Sequence, residues 1–267
     1  MTTIVFLHGV GGAVDEWDEP LVAALAARGH GDIPTRTIRF DDIVDRRGRI
    51  RRRSVPMTPA QPVQWSEQVA KRRAYFERQE LLAQALKNAP DVVPKPRVIP
   101  PLLMPGELLV RLPAWDMRHA GHYRHDLPIQ REVLDRVAQQ LNAIDDDVIV
   151  LGHSLGAVVA IDLIHLRSVE VKLLVTIGSS LGAGHFWCKR WEGERKFPYD
   201  RVGGWANVVN LRDFIPWQRG ASWRFPQTVD VFLKTGKGVA GPGSVHDART
   251  YNSSGPVIEA IVSSLDH

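Results

Sequence analysis

The sequence predicts an α/β fold: a mostly parallel central sheet with helices on both faces, and a long insertion before the strand that carries a candidate reactive serine. Three observations predict it. Short unbroken apolar runs, such as Ile4 to Leu7 and Val148 to Leu151, have the length and character of strands buried on both faces. Helical stretches alternate with these runs, the order that builds a parallel sheet. One run, Val148-Ile149-Val150-Leu151, passes straight into Gly152-His153-Ser154-Leu155-Gly156, and Ala157 to Ile161 then reads as the start of a helix.

That last element is the sequence form of a tight strand-to-helix turn that lifts a serine oxygen above a sheet edge. Gly152 and Gly156 lack a Cβ, so strand and helix can pass close together while Ser154 takes a strained backbone conformation. A bare Gly-x-Ser-x-Gly recurs by chance. Its place between an apolar strand and an apolar helix is what makes it informative.

The remaining elements follow in order. Ile4 to Leu7 reads as a buried strand ended by the loop His8-Gly9-Val10-Gly11-Gly12. Leu21 to Ala27 reads as a helix, with Asp15, Glu16, Asp18, Glu19 and Pro20 at its start and Gly29 past its end. Thr35 to Phe40 reads as a second strand. From Asp41 to about Leu112 regularity breaks: an Arg cluster, one helical stretch near Gln64 to Leu86, and a segment in which Pro90, Pro94, Pro96, Pro100, Pro101 and Pro105 exclude helix or central strand. We read 41–125 as an insertion or lid within a single domain spanning 1–267, with little from which to build a core of its own.

Order returns at Leu127 to Ala143, where Ile129, Val133, Val137 and Leu141 repeat every four residues on one helical face. Strands are expected at Val171 to Ile177, Ala206 to Leu211 and Val229 to Leu233. An irregular aromatic segment occupies Gly182 to Gly204, and a helix from about Pro256 to Leu265 closes the chain.

At 267 residues the chain is long enough to bury a substantial core. Hydrophobic residues at 44% and charged ones at 24% are ordinary globular values, which sets aside fibrous and disordered classes. A formal charge of +4 is too small to argue for a nucleic-acid partner. One cysteine, Cys188, leaves no internal disulfide and no cysteine-based metal cluster, and suits a reducing compartment. The opening Thr2-Thr3 before Ile4 to Leu7 lacks the form of a secretory leader, and no apolar stretch approaches bilayer-spanning length. The expectation is a soluble, cytoplasmic protein.

A serine hydroxyl needs a base within hydrogen-bond reach, and the base needs an orienting acid. After a turn of this type the partners follow the serine in the order acid, then histidine. Downstream of Ser154, His165 lies on the helix leaving the turn and His185 in the irregular aromatic segment. His246 lies in a loop between the last strand and the last helix, where functional groups of open α/β sheets gather, and is the candidate base. The candidate acid is Asp213, just past the strand end Asn207 to Leu211; Asp200 and Asp230 compete, and capping of a turn is the bland role for Asp213. An oxyanion would need two N–H donors, for which the backbone amides of Leu155 and Val10 are the candidates, with Gly11 next. The Gly-rich loop lacks the G-x-G-x-x-G spacing and the Gly-Lys-Ser/Thr of phosphate-binding loops.

Leu7-His8-Gly9, Gly152-His153-Ser154-Leu155-Gly156, Asp213 and His246 together resemble the α/β-hydrolase superfamily, in particular its small lipase and esterase branches. The stretch Trp205-Ala206-Asn207 to Asp213, and His246 with Tyr251 nearby, are similar to the acid and histidine regions of lipase-like members. The resemblance covers 1–40 and 127–267 and is absent across about 41–125. It implies a serine hydrolase that cleaves a carboxylic ester or related acyl bond of a small-molecule substrate through an acyl-enzyme on Ser154, with no cofactor and no metal. The same triad serves acyltransferases and thioesterases, and a non-catalytic binding protein on a hydrolase scaffold is the alternative from another class.

Other features are weighed against plainer roles. Six arginines stand within 46–53, at 46, 47, 49, 51, 52 and 53, after Asp41, Asp42 and Asp45. A solvated loop is set against weak contact with an anionic surface; no nucleic-acid motif accompanies the cluster. His119, His122 and His125 fall three apart, but Gly121 and Pro128 weaken a helix there, so surface or packing histidines are expected rather than a metal site. Phe186, Trp187, Trp191, Trp217 and Trp223 are candidates for lining an acyl pocket, with core packing as the alternative. Oligomeric state is not legible.

Overall fold

A computed structural model of the chain describes residues 1–10, 16–45, 65–96, 114–167, 169–182, 197–213, 215–216, 220–238 and 243–266. Its strands are β1 (Thr2–Leu7), β2 (Thr35–Ile38), β3 (Val92–Val93), β4 (Asp147–His153), β5 (Leu173–Ile177), β6 (Trp205–Asn210) and β7 (Val229–Leu233). Its helices are α1 (Glu19–Ala26), α2 (Asp41–Val44), α3 (Trp65–Lys87), α4 (Ala114–His125), α5 (Leu127–Asn142), α6 (Leu155–Leu166), α7 (Ala248–Asn252) and α8 (Gly255–Leu265). The sheet order is β2-β1-β4-β5-β6-β7-β3, and every pairing is parallel except β3 against β7. The class is therefore α/β with a mostly parallel sheet.

The apolar runs form central strands because side chains alternate between two covered faces. In β1, Val5 and Leu7 join one core while Ile4 and Phe6 join the other, and in β4 Val148 and Val150 are separated in the same way from Ile149 and Leu151. The first core holds residues of α2, α4, α5 and α6; the second holds residues of α1, α7 and α8. Helix α5 buries Ile129, Val133, Val137 and Leu141, the face its four-residue spacing predicts, and Asp126 caps its start by accepting from Ile129 N–H at 3.2 Å. Helix α6 is buried from Leu155 through Ile164. A helix apolar all round belongs inside, and this one lies between the sheet and α5.

Where it is described, the segment 41–125 contributes side chains to both cores of the protein. Ile43, Val44, Tyr75 and Tyr123 enter the first core and Leu82 and Leu86 the second, so its helices are built into the body of the protein. Among its described residues three helices are present where the sequence suggested one. Helix α4 runs through Gly121 because tertiary contacts outweigh a glycine's roughly 1 kcal/mol helix penalty: Tyr123 Oη–H donates to buried Asp162 at 2.9 Å, and His122 Nδ1–H to Val44 O at 2.8 Å. The proline-rich stretch contributes the two-residue edge strand β3, which is where prolines are tolerated. Strand β2 stops at Ile38, two residues short of the expected end, because Phe40 turns in to stack on His8 with ring centroids 4.1 Å apart. Strand β5 begins at Leu173 rather than Val171, which makes an isolated bridge to Val202.

The chain leaves β1 for β2 on one side, then returns to place β4 on the other. The carboxyl ends of β1 and β4 thus flank a topological switch point, the place where an open parallel sheet leaves a crevice between diverging loops. Ser154 follows the last residue of β4, and His8, Gly9 and Val10 follow the last residue of β1. Among the described residues no helix is long and apolar enough to cross a membrane.

Candidate active site

Ser154 has φ 52° and ψ −115°, a backbone conformation disfavoured for any residue with a Cβ. Two features hold it there. Its N–H donates to Ile177 O at the end of β5 at 3.0 Å, and α6 starts at the next residue, with Ala157 N–H donating back to Ser154 O at 3.2 Å. The flanking glycines make the turn sterically feasible. A Cβ on Gly152 would lie 2.7 Å from Ala157 Cα, and one on Gly156 would lie 2.0 Å from Leu7 O. The second contact refines the sequence reading: Gly156 admits helix α6 against β1, the neighbouring strand, as well as against its own.

Asp213 lies three residues past β6, in a turn closed by its own N–H donating to Asn210 O at 3.0 Å. It is fully buried. His246 comes from the loop before α7. Its Nδ1–H donates to Asp213 Oδ2 at 2.7 Å, which leaves Nε2 to accept the Ser154 hydroxyl proton at 3.2 Å. Serine, imidazole and carboxylate, drawn from the ends of β4, β6 and the loop after β7, form one hydrogen-bonded row. His246 is partly exposed (22% of its side chain), whereas the acid is sealed off.

The competing residues lie elsewhere. Asp230 accepts Asn207 Nδ2–H at 2.8 Å and the N–H groups of Ala221 at 2.7 Å and Ser222 at 3.0 Å, which commits it to capping the 3₁₀ turn Ala221–Trp223. Asp200 precedes β6 and lines a groove of about 660 Å³ with Asp147 and Lys172, at the amino ends of the strands. His165 is in the last turn of α6, 11 residues and so about 16 Å along the helix from Ser154. His185 lies outside the described residues.

The candidate oxyanion donors flank the serine. Leu155 opens α6, and the first N–H groups of a helix have no partner within it. Val10 follows Gly9, which abuts the turn so closely that an added Cβ would meet Ser154 Cβ at 2.9 Å. His8 shapes this loop: Nδ1–H donates to Gly9 O at 2.7 Å while Nε2 accepts Phe40 N–H at 3.1 Å. Burial depresses its pKa, so the neutral ring that this pattern requires is the stable one. Gly11 lies outside the described residues.

Three supporting residues escaped the sequence reading or entered it without a role. His153 is buried; its Nε2–H donates to His246 O at 2.9 Å, tying the base to the serine turn, and burial followed by the nearby His246 lowers its pKa to about 3. Asn210 ends β6 and donates to Thr235 O at 2.9 Å and Val245 O at 3.1 Å, fixing the histidine loop to the strand that leads to Asp213. Tyr251 Oη–H donates to Asp213 Oδ2 at 2.7 Å. The available signal was a polar residue ending an apolar strand run, which both His153 and Asn210 supply.

The remaining features are accounted for briefly. His119 contacts Asp45 and His122 contacts Val44 O, so both fasten α4 to α2 and its C-terminal turn, while His125 is exposed. No cluster of metal-binding side chains occurs among the described residues. The arginines of 46–53 lie outside the described residues, as do Phe186, Trp187, Trp191 and Trp217; Trp223 is largely exposed. Comparison with family models, with curated proteins and with solved structures finds no match to this chain.

Proposed function

We propose that this protein is a serine hydrolase of the α/β-hydrolase type, lipase- or esterase-like, acting on a carboxylic ester or related acyl bond. The observation that carries this reading is the unbroken row Ser154–His246–Asp213 at the carboxyl edge of a parallel sheet, with Ser154 in the strained turn that begins a buried helix. A structural role needs no such row: a serine at positive φ and a fully buried carboxylate are each costly on their own.

In this mechanism Ser154 Oγ attacks the acyl carbon while His246 Nε2 takes the hydroxyl proton. The carbonyl π electrons move to oxygen, and the N–H groups of Leu155 and Val10 hold that oxyanion. Collapse expels the alcohol, which leaves with the proton from His246. Water then attacks the acyl-enzyme, losing a proton to His246, and the acid departs as Ser154 is reprotonated. Asp213 holds the imidazole with Nδ1 protonated and stabilises the imidazolium. No cofactor or metal enters any step. The substrate is a small acyl compound, and a cytoplasmic location accords with a single cysteine.

A fluorophosphonate probe and short p-nitrophenyl esters test the reading. Wild type is expected to be labelled on Ser154 and to turn the esters over. Ser154→Ala is expected to lose both label and turnover, by on the order of 10⁴-fold or more, with its unfolding transition retained. Undiminished turnover in that variant would refute the assignment.

A further inference from the structure

We propose that Tyr251 sets the basicity of His246, because it donates its phenol proton to the same carboxylate oxygen that receives the imidazole N–H. It is then a positioning residue acting through Asp213, and the inference rests on the acyl-enzyme reading above. Tyr251 lies in α7, five residues past His246, and is fully buried. Asp213 Oδ2 accepts both Tyr251 Oη–H and His246 Nδ1–H, each at 2.7 Å, while Oδ1 accepts Ile215 N–H at 3.0 Å. Burial, then the Asp213 charge, pushes the phenol well above its usual range, so it remains a donor wherever the site could work.

Two donors on one oxygen share its charge. Each partly neutralises the field that the other feels, so the hydroxyl weakens the hold of Oδ2 on an imidazolium. The other groups facing His246 do not share this oxygen. His153 is neutral, 4.8 Å away ring to ring, and donates to the His246 carbonyl rather than to the carboxylate. Asp247, the next residue, is turned to Gly243 N–H and to the Arg249 guanidinium. Ser154 meets the opposite ring nitrogen. Tyr251 is thus the group placed to tune the carboxylate's grip without touching the reacting atoms.

Without the hydroxyl, the buried Oδ2 no longer shares its charge with a second donor, and the protonated ring is favoured more. Neutral His246, the form able to accept the serine proton, then appears at higher pH. Reaction of Ser154 with a fluorophosphonate reads this without knowledge of the substrate. The rate is measured from about pH 5 to about pH 9 in wild type and in Tyr251→Phe. The variant is expected to shift the acid limb upward by about half to one pH unit, slowing reaction about 3- to 10-fold below it, with a smaller effect on the plateau. Placing 3-fluorotyrosine at 251, a stronger donor of nearly the same shape, is expected to move the limb the opposite way and keeps the test open if the phenylalanine variant does not fold. Superimposable limbs, or a uniform loss at every pH, overturn the role of Tyr251 while leaving the nucleophile intact. A wild type that does not react at Ser154 at any pH overturns the acyl-enzyme reading, and this inference with it.

Discussion

Gly156 concentrates the residue-scale argument. It lies in the first turn of α6, where alanine would ordinarily stabilise the helix by about 1 kcal/mol. Its missing Cβ, however, leaves room for Leu7 O, which an added methyl would meet at 2.0 Å. The obstacle is sheet backbone and cannot rotate away. Gly156→Ala is therefore expected to destabilise by about 3 kcal/mol despite the better propensity, read as a lower urea midpoint with an unchanged m-value. An unchanged or raised midpoint would mean that the helix can ride away from β1 freely. The same tight seat sets the height of Ser154 above the sheet edge, so a variant that folds should also react more slowly with a fluorophosphonate.

At the scale of elements, β6 shows how a helix can replace a strand. Its first residue, Trp205, pairs with β5, but β7 begins its pairing only at Ala206. The main-chain groups of Trp205 that β7 leaves bare are taken by one side chain on α3: Gln79 Nε2–H donates to Trp205 O at 2.6 Å, and Trp205 N–H donates to Gln79 Oε1 at 2.9 Å. Both partners are buried. Gln79→Ala strips two buried backbone groups at once and is expected to cost about 3 kcal/mol, measured by equilibrium unfolding. Gln79→Glu keeps the acceptor but loses the donor and should be no milder, because it also buries a charge. A loss below about 1 kcal/mol for the alanine variant would show that water satisfies the strand end. This pairing ties the described helix α3 of the 41–125 segment to the central sheet.

For the molecule as a whole, the sheet separates two edges. The carboxyl edge carries Ser154 at the switch point with Asp213 and His246 from the ends of later strands, while the amino edge carries the groove lined by Asp200, Asp147 and Lys172. Exchanging an acid at each edge tests the separation. Asp213→Asn is expected to slow ester turnover on the order of 10³-fold or more, since an amide can hold the imidazole in the wrong tautomer. Asp200→Asn is expected to leave turnover within about twofold of wild type, as for a surface substitution remote from the chemistry. A large effect of Asp200→Asn would show that the two edges are coupled through the sheet.

Local pattern alone determined much of this. Unbroken apolar runs between helical stretches specify a parallel sheet covered on both faces, because only strands shielded on each side dispense with polar alternation. Glycines at 152 and 156 around Ser154 specify the turn, since no other side chain fits where two backbones touch. The chain order of Asp213 and His246 after strand ends pointed to the same edge. Other features could not be read this way because their causes are distant in sequence. Gln79 reaches Trp205 across 126 residues and His153 reaches the carbonyl of His246 across 93, and no local spacing encodes such a meeting. The rejection of Asp230 likewise depended on which backbone groups it faces. Whether 41–125 stands apart or belongs to the core was decided by burial of Ile43, Tyr75 and Leu86, side chains whose helical spacing is weak but whose partners are supplied by the rest of the fold. Sequence by itself determined the class of the sheet and the strained serine turn. Only the tertiary structure decided which groups surround that serine, because hydrogen bonds and burial act between residues that the chain brings together from afar.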